Sequence, residues 1–330
     1  MSSHPFWYES SQVPTSGFQP VVLSTRVRMA RNISGLPFPN RMSLEECISL
    51  RTSVFRVLQK YRYLECKAAQ GANVRTDDFL VSVEAADKGI STFGRPETGQ
   101  VIVIGDEDHF RISTVTAGLS LDTAMDLTSD METLLANDFP FAFDKQRFGF
   151  LTASMANAGL AMRVSVWMHV PGLILSETWA ELEPLLKSMD ISVRGILGEE
   201  SELTAGMVQL SNRTSYGKSS DEILAKLKRV IDLVNESERS ALSDLLRQYK
   251  SKTIDYLKWM SLLEQPFISR DAFIHAVSAA LLAARLGYNV RFDNQLALRV
   301  LIAGFKSRHE DGLIQMQVVR NLLKDTLMDT

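Results

Sequence analysis

The sequence predicts an α+β protein, with a mixed domain of about 240 residues followed by a helical domain of about 90. Three observations support this prediction. Short β-branched runs bounded by polar or glycine-containing stretches occur before residue 240, as in Val101–Ile104. The run Arg163–Val170 begins by alternating polar or basic with apolar residues, which is typical of a sheet with two different faces. Beyond residue 240, Leu, Ala, Ile and Val recur at helical spacing, and no segment has a convincing strand pattern.

The individual elements follow from local patterns along the chain. Residues 1–17 are polar with scattered aromatics and predict a loose leader. Ser43–Glu46 and Ser219–Glu222 have capping-box spacing, so each predicts the start of an amphipathic helix, the second ending near residue 236. A further helical pattern covers residues 119–137. The predicted strands are 21–24, 79–85, 101–104, 163–170, 191–197 and 207–210, and the predicted domains are 18–240 and 241–330.

Composition excludes several classes of protein. The 330 residues carry 36 basic and 39 acidic side chains, and the net charge of −3 argues against a general binder of nucleic acid or of membrane surfaces. No apolar stretch approaches the roughly 18 residues that a membrane span needs, and no apolar signal segment is visible, so we expect a cytoplasmic protein. Cys47 and Cys66 are too few for a disulfide framework and wrongly spaced for a metal site.

The basic residues are mostly arginine, 23 of the 36, and residues 1–212 contain 13 Arg and 5 Lys. The planar guanidinium binds phosphate and carboxylate groups through two parallel hydrogen bonds. The bias therefore points to an anion site, and a compositional habit of the genome is the alternative explanation.

Two short segments place charges where chemistry could occur. Arg26 and Arg28 lie two apart on an extended run, so their guanidiniums share one face, where like charges are unfavourable unless an anion or a carboxylate lies between them. The loop 105–111, GDEDHFR, places three acids, a histidine and an arginine after an apolar strand, which suits acid–base chemistry. An exposed strand edge and a solvated acidic loop are the alternative interpretations of these segments.

Two further segments are loops beside strands that carry arginine. Residues 149–163, GFLTASMANAGLAMR, contain a small-residue loop whose backbone amides can approach a ligand closely. Residues 194–202, RGILGEESE, follow a predicted strand and contain a glycine-hinged acidic loop, which could fold over a bound substrate. Neither segment is diagnostic alone.

Together and in this order, the segments resemble the catalytic domain of the phosphagen (ATP:guanidino) kinases over about residues 18–240. The resemblance is carried by LSTRVRMARN, GDEDHFR, GFLTASMANAGLAMR, VRGILGEESE and LSN. A helical C-terminal domain, without the family's helical N-terminal substrate domain, is more narrowly similar to the bacterial protein-arginine kinases. The resemblance implies an antiparallel sheet flanked by helices, and it implies ATP-dependent phosphorylation of arginine side chains in proteins. P-loop and ordinary protein-kinase motifs are absent from the sequence.

The resemblance also implies roles for individual residues. Two carboxylates, Glu107 and Glu199, would orient the acceptor guanidinium and take its proton, and Ser154 stands where the family has a reactive cysteine. Magnesium would be held through nucleotide oxygens and water, without protein ligands. Five arginines would bind the ATP phosphates, with three residues supporting them: Arg26, Arg28, Arg111, Arg163 and Arg194, then Ser24, His109 and Trp167. An ordinary core position is the alternative for Trp167.

Two other functions stay open at this point. One is a nucleotide-binding adaptor in a stress-response or proteolysis complex, favoured by the serine at position 154. The other is a kinase for free arginine or another small guanidino compound. For the main hypothesis we expect protein substrates with exposed arginine and a homodimer formed through the helical domain. An activator protein is a candidate partner.

Overall fold

An eight-stranded sheet with helices on both faces organises the chain, as seen in a computed structural model. The structure describes residues 6–8, 21–66, 74–76, 81–83, 90–195, 203–288, 291–309 and 312–327. The predicted α+β class and the antiparallel sheet flanked by helices are confirmed. The strands are β1 Val22–Arg31, β2 Leu64–Cys66, β3 Val74–Thr76, β4 Val81–Val83, β5 Ser91–Arg95, β6 Gln100–Ile104, β7 Phe110–Ala117, β8 Phe143–Asp144, β9 Gly149–Phe150, β10 Met162–His169, β11 Ile191–Gly195, β12 Met207–Asn212, β13 Phe267–Ile268 and β14 Ile314–Gln315.

Helices connect the strands and form most of the C-terminal third. The α-helices are α1 Leu44–Lys60, α2 Leu121–Ala136, α3 Pro171–Leu175, α4 Trp179–Ser188, α5 Ser220–Arg247, α6 Lys250–Leu257, α7 Arg270–Arg285, α8 Asn294–Lys306 and α9 Gln317–Leu327. Short 3₁₀ helices cover Pro39–Arg41, Met155–Asn157, Thr204–Gly206 and Lys258–Glu264.

The main sheet has the strand order β11-β12-β10-β1-β7-β6-β5-β2. Every one of its neighbouring pairs is antiparallel, so one face of the sheet collects alternate residues from each strand. The central strand β1 pairs with β10 on one side and with β7 on the other. Residues that are far apart in the sequence therefore meet around β1.

Both predicted capping boxes are present. Ser43 accepts a hydrogen bond from the Glu46 N–H while the Glu46 carboxylate accepts from the Ser43 N–H, and Ser219 and Glu222 do the same at the start of α5. The predicted end of α5 near residue 236 is wrong, since the helix continues to Arg247. Most residues at this end of the helix are polar, but the few apolar ones keep helical spacing as far as Leu245 and are buried.

The first face of the sheet is fully covered by helices. Apolar residues of β1, β6, β7, β10 and β12 pack there in one cluster with residues of α1 to α5. Val27, Ile102, Ile112, Val164 and Leu210 are representative, each fully buried. A core of this size is the principal stabilising term and fixes the strand register, because a slip by one residue would turn every apolar side chain to the other face.

The second face is only partly covered. Its apolar residues form a cluster with α7, α8 and α9 and with Trp7 and Tyr8, which are buried although they belong to the predicted leader. The sheet contributes Leu23, Val101, Val103, Val115, Trp167 and Met207 to this cluster. The C-terminal helices therefore pack directly on the sheet. In the part of the chain that the structure describes, no helix is long and apolar enough to cross a membrane.

Two buried polar groups connect elements of the fold: Glu238 of α5 binds α3, and Arg285 of α7 binds the end of β10. Both carboxylate oxygens of Glu238 accept hydrogen bonds, from the N–H groups of Gly172 and Leu173 at 2.9 Å each. A Cβ on Gly172 would lie 2.9 Å from the Glu238 carboxylate, so only glycine allows this approach. The buried Arg285 donates to the His169 carbonyl at 2.8 Å. Burial raises the pKa of Glu238 to about 7, against the opposing effects of the two N–H groups and Arg285.

We expect Glu238→Gln to remove part of the pH dependence of stability. The folded carboxyl has a pKa of about 7 against 4.5 for the ordinary group, so the folded state binds more protons between these values. Wild type should therefore lose stability relative to the variant as pH rises from about 4.5 to about 7, by on the order of 3 kcal/mol. Urea unfolding at several pH values measures this difference.

The matched control is Glu236→Gln, an exposed carboxylate on the same helix. Its free energy of unfolding should run parallel to that of wild type across the pH range. Parallel curves for Glu238→Gln and wild type would contradict the prediction, even if the variant is less stable at every pH.

Candidate functional site

The strand register places five arginines on the second face of the sheet, beside the part that the C-terminal helices cover. The central strand β1 contributes Arg26 and Arg28, and the strands on its two sides contribute Arg111 and Arg163. Arg194 comes from the edge strand β11. All five side chains are partly buried. These are the five arginines singled out from the sequence.

Residue pairing shows how closely the five are grouped. Arg28 lies directly opposite Arg163, and Arg111 lies opposite Ala30, which is the next same-face position on β1. Arg26 occupies the following position on the other side of Arg28. Same-face positions along a strand are only about 7 Å apart, so four guanidiniums share one small area.

Electrostatics show that this area is strongly positive. The pKa of Arg26 is lowered to about 9, first by burial and then by the charges of Arg111, Arg28 and Arg163. The pKa of Arg28 is lowered by burial and by Arg111, with a further contribution from Arg194. These two shifts show that neighbouring guanidiniums repel Arg26 and Arg28 across a partly desolvated surface. A multivalent anion is the ligand that relieves such repulsion.

Neighbouring polar groups hold individual arginines in position. Arg163 donates from Nε and Nη2 to the hydroxyl of Ser211, at 3.0 and 2.8 Å. Arg111 forms an ion pair with Asp106, with Nη1 and Oδ2 2.8 Å apart. Ser211 and Asp106 were not among the residues predicted for the site. Ser211 lies in the quoted segment LSN, but its contact with Arg163 depends on the pairing of β10 with β12 and has no local signal.

The sixth arginine of this region, Arg31, has a different environment. It is buried, its Nε lies 2.6 Å from a carboxylate oxygen of Glu132, and its Nη1 donates to the carbonyl groups of Ala30 and Leu160. The guanidinium also lies 3.5 Å from the centre of the Phe150 ring. Arg31 is thus neutralised within the protein and supports the loop that follows β9.

The acidic loop between β6 and β7 is tied to two other segments by Asp108. Asp108 Oδ1 accepts from Asn32 Nδ2 at 2.6 Å and from the Ala153 N–H at 2.7 Å. Asn32 in turn accepts from the His109 N–H at 2.8 Å. These bonds connect the end of β1, the acidic loop and the small-residue loop. Asn32 was missed in the sequence, although it ends the arginine-rich segment.

His109 holds the same loop from inside. It is fully buried, its Nδ1 accepts from the Ile33 N–H and its Nε2 donates to the Pro37 carbonyl, both at 2.9 Å. Burial lowers the pKa of His109, which keeps the ring neutral near pH 7. Both ring nitrogens therefore serve the protein's own backbone, and the predicted part of His109 in ATP binding stays a prediction.

Glu107 lies exposed in this loop, next to the buried Asp108. Partial burial and the charges of Asp108 and Asp106 raise its pKa, whereas Arg28 and Arg111 act in the opposite direction. A carboxylate with a raised pKa is a better proton acceptor near neutral pH. The position therefore suits a general base at the edge of the arginine cluster.

The remaining predicted residues are placed as follows. Ser154 is partly buried and follows Ala153, whose N–H is bonded to Asp108. Ser24 and Trp167 are paired across β1 and β10, and Trp167 packs in the apolar cluster of the second face. Glu199 lies outside the described residues. Within the described part of the chain, no three His, Cys, Asp or Glu residues are grouped so that they could hold a metal ion.

Comparison with known proteins identifies a family. Residues 51–241 match the model of the ATP:guanido phosphotransferase C-terminal catalytic domain. The chain is 29% identical over 299 residues to the protein-arginine kinase of Moorella thermoacetica, covering 85% of each protein. It is 30% identical over 247 residues to that of Clostridium kluyveri, covering 71% of each.

Solved structures with the same fold include lombricine kinase and a duplicated taurocyamine kinase. The first superposes with a TM-score of 0.58 at 19% identity and covers 72% of each chain. The second, from Schistosoma mansoni with bound transition-state-analogue components, has a TM-score of 0.57 at 19% identity and covers 80% of this chain and 42% of its own. At these identities the similarity establishes the fold.

We expect Arg26→Met to stabilise the ligand-free protein and to weaken anion binding. The substitution removes a desolvated charge that three other arginines repel, so the free energy of unfolding should rise by about 1–2 kcal/mol. Stabilisation by inorganic tripolyphosphate, measured as the shift of Tm, should fall. The exposed Arg229→Met on α5 serves as control, and equal tripolyphosphate shifts for wild type and Arg26→Met would contradict the prediction.

Proposed function

The chain belongs to the ATP:guanido phosphotransferase family, and we propose that it transfers the γ-phosphoryl group of ATP to arginine side chains in proteins. The cluster of five arginines on one sheet face carries this proposal. It is supported by relatives described as protein-arginine kinases that align with up to 89% of the chain. The proposed substrates are proteins with exposed arginine.

The arginine cluster serves as the polyphosphate site in this proposal. Phosphoryl transfer requires in-line positioning and positive charge on the equatorial oxygens of the transferred group. Five guanidiniums fixed by strand register supply both, because each presents parallel donors and none can lose its proton easily. Asp106 would release Arg111 to the nucleotide as the phosphates enter, since both anions compete for one guanidinium.

Magnesium is proposed as a companion of the nucleotide. When bound with the nucleotide, a divalent cation would supply positive charge against the negative charge that develops in transfer. Two of the three carboxylates of the acidic loop are engaged otherwise, Asp106 with Arg111 and Asp108 with Asn32 and the Ala153 N–H, and the proposal assigns Glu107 to the acceptor guanidinium. Such an ion would thus take its ligands from the nucleotide and from water.

The acidic loop serves as the acceptor site. A guanidinium is a poor nucleophile until a proton leaves, and in this proposal Glu107 would accept that proton, with Glu199 as the second carboxylate that the sequence suggests. The nitrogen lone pair then attacks the γ-phosphorus and a P–N bond forms. The bond from that phosphorus to the bridging oxygen breaks, and ADP leaves with the electron pair.

The assembly proposed for the enzyme uses the C-terminal part of the chain. Residues 18–240 form the catalytic domain, and residues 241–330 serve dimerisation and substrate contacts. Helices α7 and α8 also cover part of the arginine-bearing sheet face, where their apolar residues pack against it. A homodimer would use their outer surfaces, and an activator protein is a candidate regulator.

We expect Glu107→Gln to abolish most phosphoryl transfer. Wild type incubated with ATP, Mg²⁺ and an arginine-rich protein should form acid-labile phosphoarginine, detected by mass spectrometry under neutral conditions. Loss of the proton acceptor should lower the rate by about 10²–10⁴-fold, while tripolyphosphate binding is retained. Glu181→Gln, which removes an exposed carboxylate from α4, should leave the rate unchanged.

Two results would favour other functions. Nucleotide binding without phosphoarginine on any protein tested would point to an adaptor. Faster transfer to free arginine than to protein-bound arginine would point to a kinase for small guanidino compounds.

We expect Ser154→Cys to raise the rate of transfer. Cysteine is the residue type that the family resemblance implies at this position, and its thiolate form would add a negative charge beside the acceptor guanidinium that serine lacks. The initial rate of phosphoarginine formation measures the effect, and Ser120→Cys, near the start of α2, is the control for an added cysteine. An unchanged or lower rate would assign Ser154 no part in the reaction.

A further inference from the structure

Three surface segments beside the acidic loop carry exposed apolar side chains. They are the hairpin β8–β9, the 3₁₀ helix after it and the turn that follows β12. The exposed fractions are 55% for Phe143, 38% for Phe148, 73% for Met155 and 55% for Tyr216. We term these four side chains the apolar rim. Large apolar side chains grouped on a surface are typical of binding sites.

Hydrogen bonds make the apolar rim a preformed surface. The Gly159 N–H donates to the Phe148 carbonyl at 2.8 Å, and the Tyr216 hydroxyl donates to the Arg147 carbonyl at 3.1 Å. Gly159 has a φ of +92°, and a Cβ there would lie 2.6 Å from the Tyr216 Cα. Phe143 packs edge-on against Phe150 with ring centres 4.9 Å apart. The three segments therefore hold one another without any ligand.

The apolar rim is continuous with the proposed acceptor site. Met155 follows Ser154, and the Ala153 N–H is bonded to Asp108 at 2.7 Å, next to Glu107. A polypeptide whose arginine side chain reaches Glu107 must place its neighbouring residues over the surface beside that loop. The apolar rim is the part of this surface that offers area for burial.

Two charged residues beside the apolar rim indicate which residues of a substrate polypeptide can lie next to the target arginine. The tip of the β8–β9 hairpin carries Lys145 and Arg147, both exposed. Two cations there disfavour a second basic residue on the incoming chain. An apolar residue beside the target arginine gains contact with Met155 or Phe143 without meeting this charge.

We propose that the apolar rim is the docking surface for the substrate polypeptide and selects an aromatic or aliphatic residue adjacent to the target arginine. This inference rests on the proposed function and specifies its substrate class. It also gives a reason for discrimination against free arginine, which has no neighbouring residue to bury.

Paired peptides test the proposal. Two fluorescein-labelled pentapeptides carry a central arginine flanked on both sides by phenylalanine or by serine. Wild type should prefer the phenylalanine peptide about tenfold, both in kcat/KM for phosphoarginine formation and in affinity measured by anisotropy. Met155→Ser and Phe143→Ser should reduce this preference to about twofold or less, because kcat/KM on the phenylalanine peptide should fall more than kcat/KM on the serine peptide. Leu185→Ser, an exposed apolar residue on α4, should behave as wild type.

Peptide affinity tests the docking surface, and phosphoarginine formation tests the proposed function. Tenfold preference in wild type that persists in both rim variants overturns the docking surface, as does a wild type without preference. Rim-dependent binding of the phenylalanine peptide without phosphoarginine retains the docking surface and overturns the proposed function. Unchanged tripolyphosphate shifts in both variants show that the fold is intact.

Discussion

Like-charge repulsion among five arginines is the constraint on which this structure depends. Burial and neighbouring guanidiniums lower the pKa of Arg26 to about 9, so the ligand-free protein carries an unfavourable electrostatic term. Such a cluster persists only where the backbone holds the arginines close together, so that their side chains cannot move apart. The antiparallel register provides that, because Arg28 and Arg163 face each other in the middle of an eight-stranded sheet.

The two faces of the sheet differ in role: the first holds the larger apolar core, and the second carries the arginine cluster. The first face is buried under α1 to α5, and this large core fixes the register of every strand. The second face is covered by C-terminal helices at one end and carries the arginines at the other. The apolar burial on the first face and at the covered end of the second face thus offsets the electrostatic repulsion among the arginines at the other end. The covering helices also form one border of the arginine cluster. Trp167 lies at this border, where the apolar cluster of the second face ends.

The sequence predicted those parts of the site that depend on short-range pattern. Period-two spacing was enough to place Arg26 and Arg28 on one face, and the structure has them there. The same segment gave no sign that Arg31 differs, because its partner Glu132 lies about 100 residues away on α2. The contact between Asn32 and Asp108 was hidden for the same reason, as were the last turns of α5, whose apolar stripe lies beneath a polar surface. These features depend on contacts between residues that are far apart in the sequence, and such contacts produce no local sequence pattern.

The raised pKa of Glu107 couples the two halves of the proposed reaction. Arg28 and Arg111 lower this pKa, whereas burial and two neighbouring aspartates raise it, and the balance is upward. A polyphosphate bound to the same arginines would cancel part of their positive charge. The influence that lowers the pKa of Glu107 would then weaken, and the carboxylate would become a stronger base. Its capacity to remove a proton from the acceptor guanidinium would therefore be greatest when the phosphoryl donor is in place, so that one set of arginines both binds the donor and controls the base.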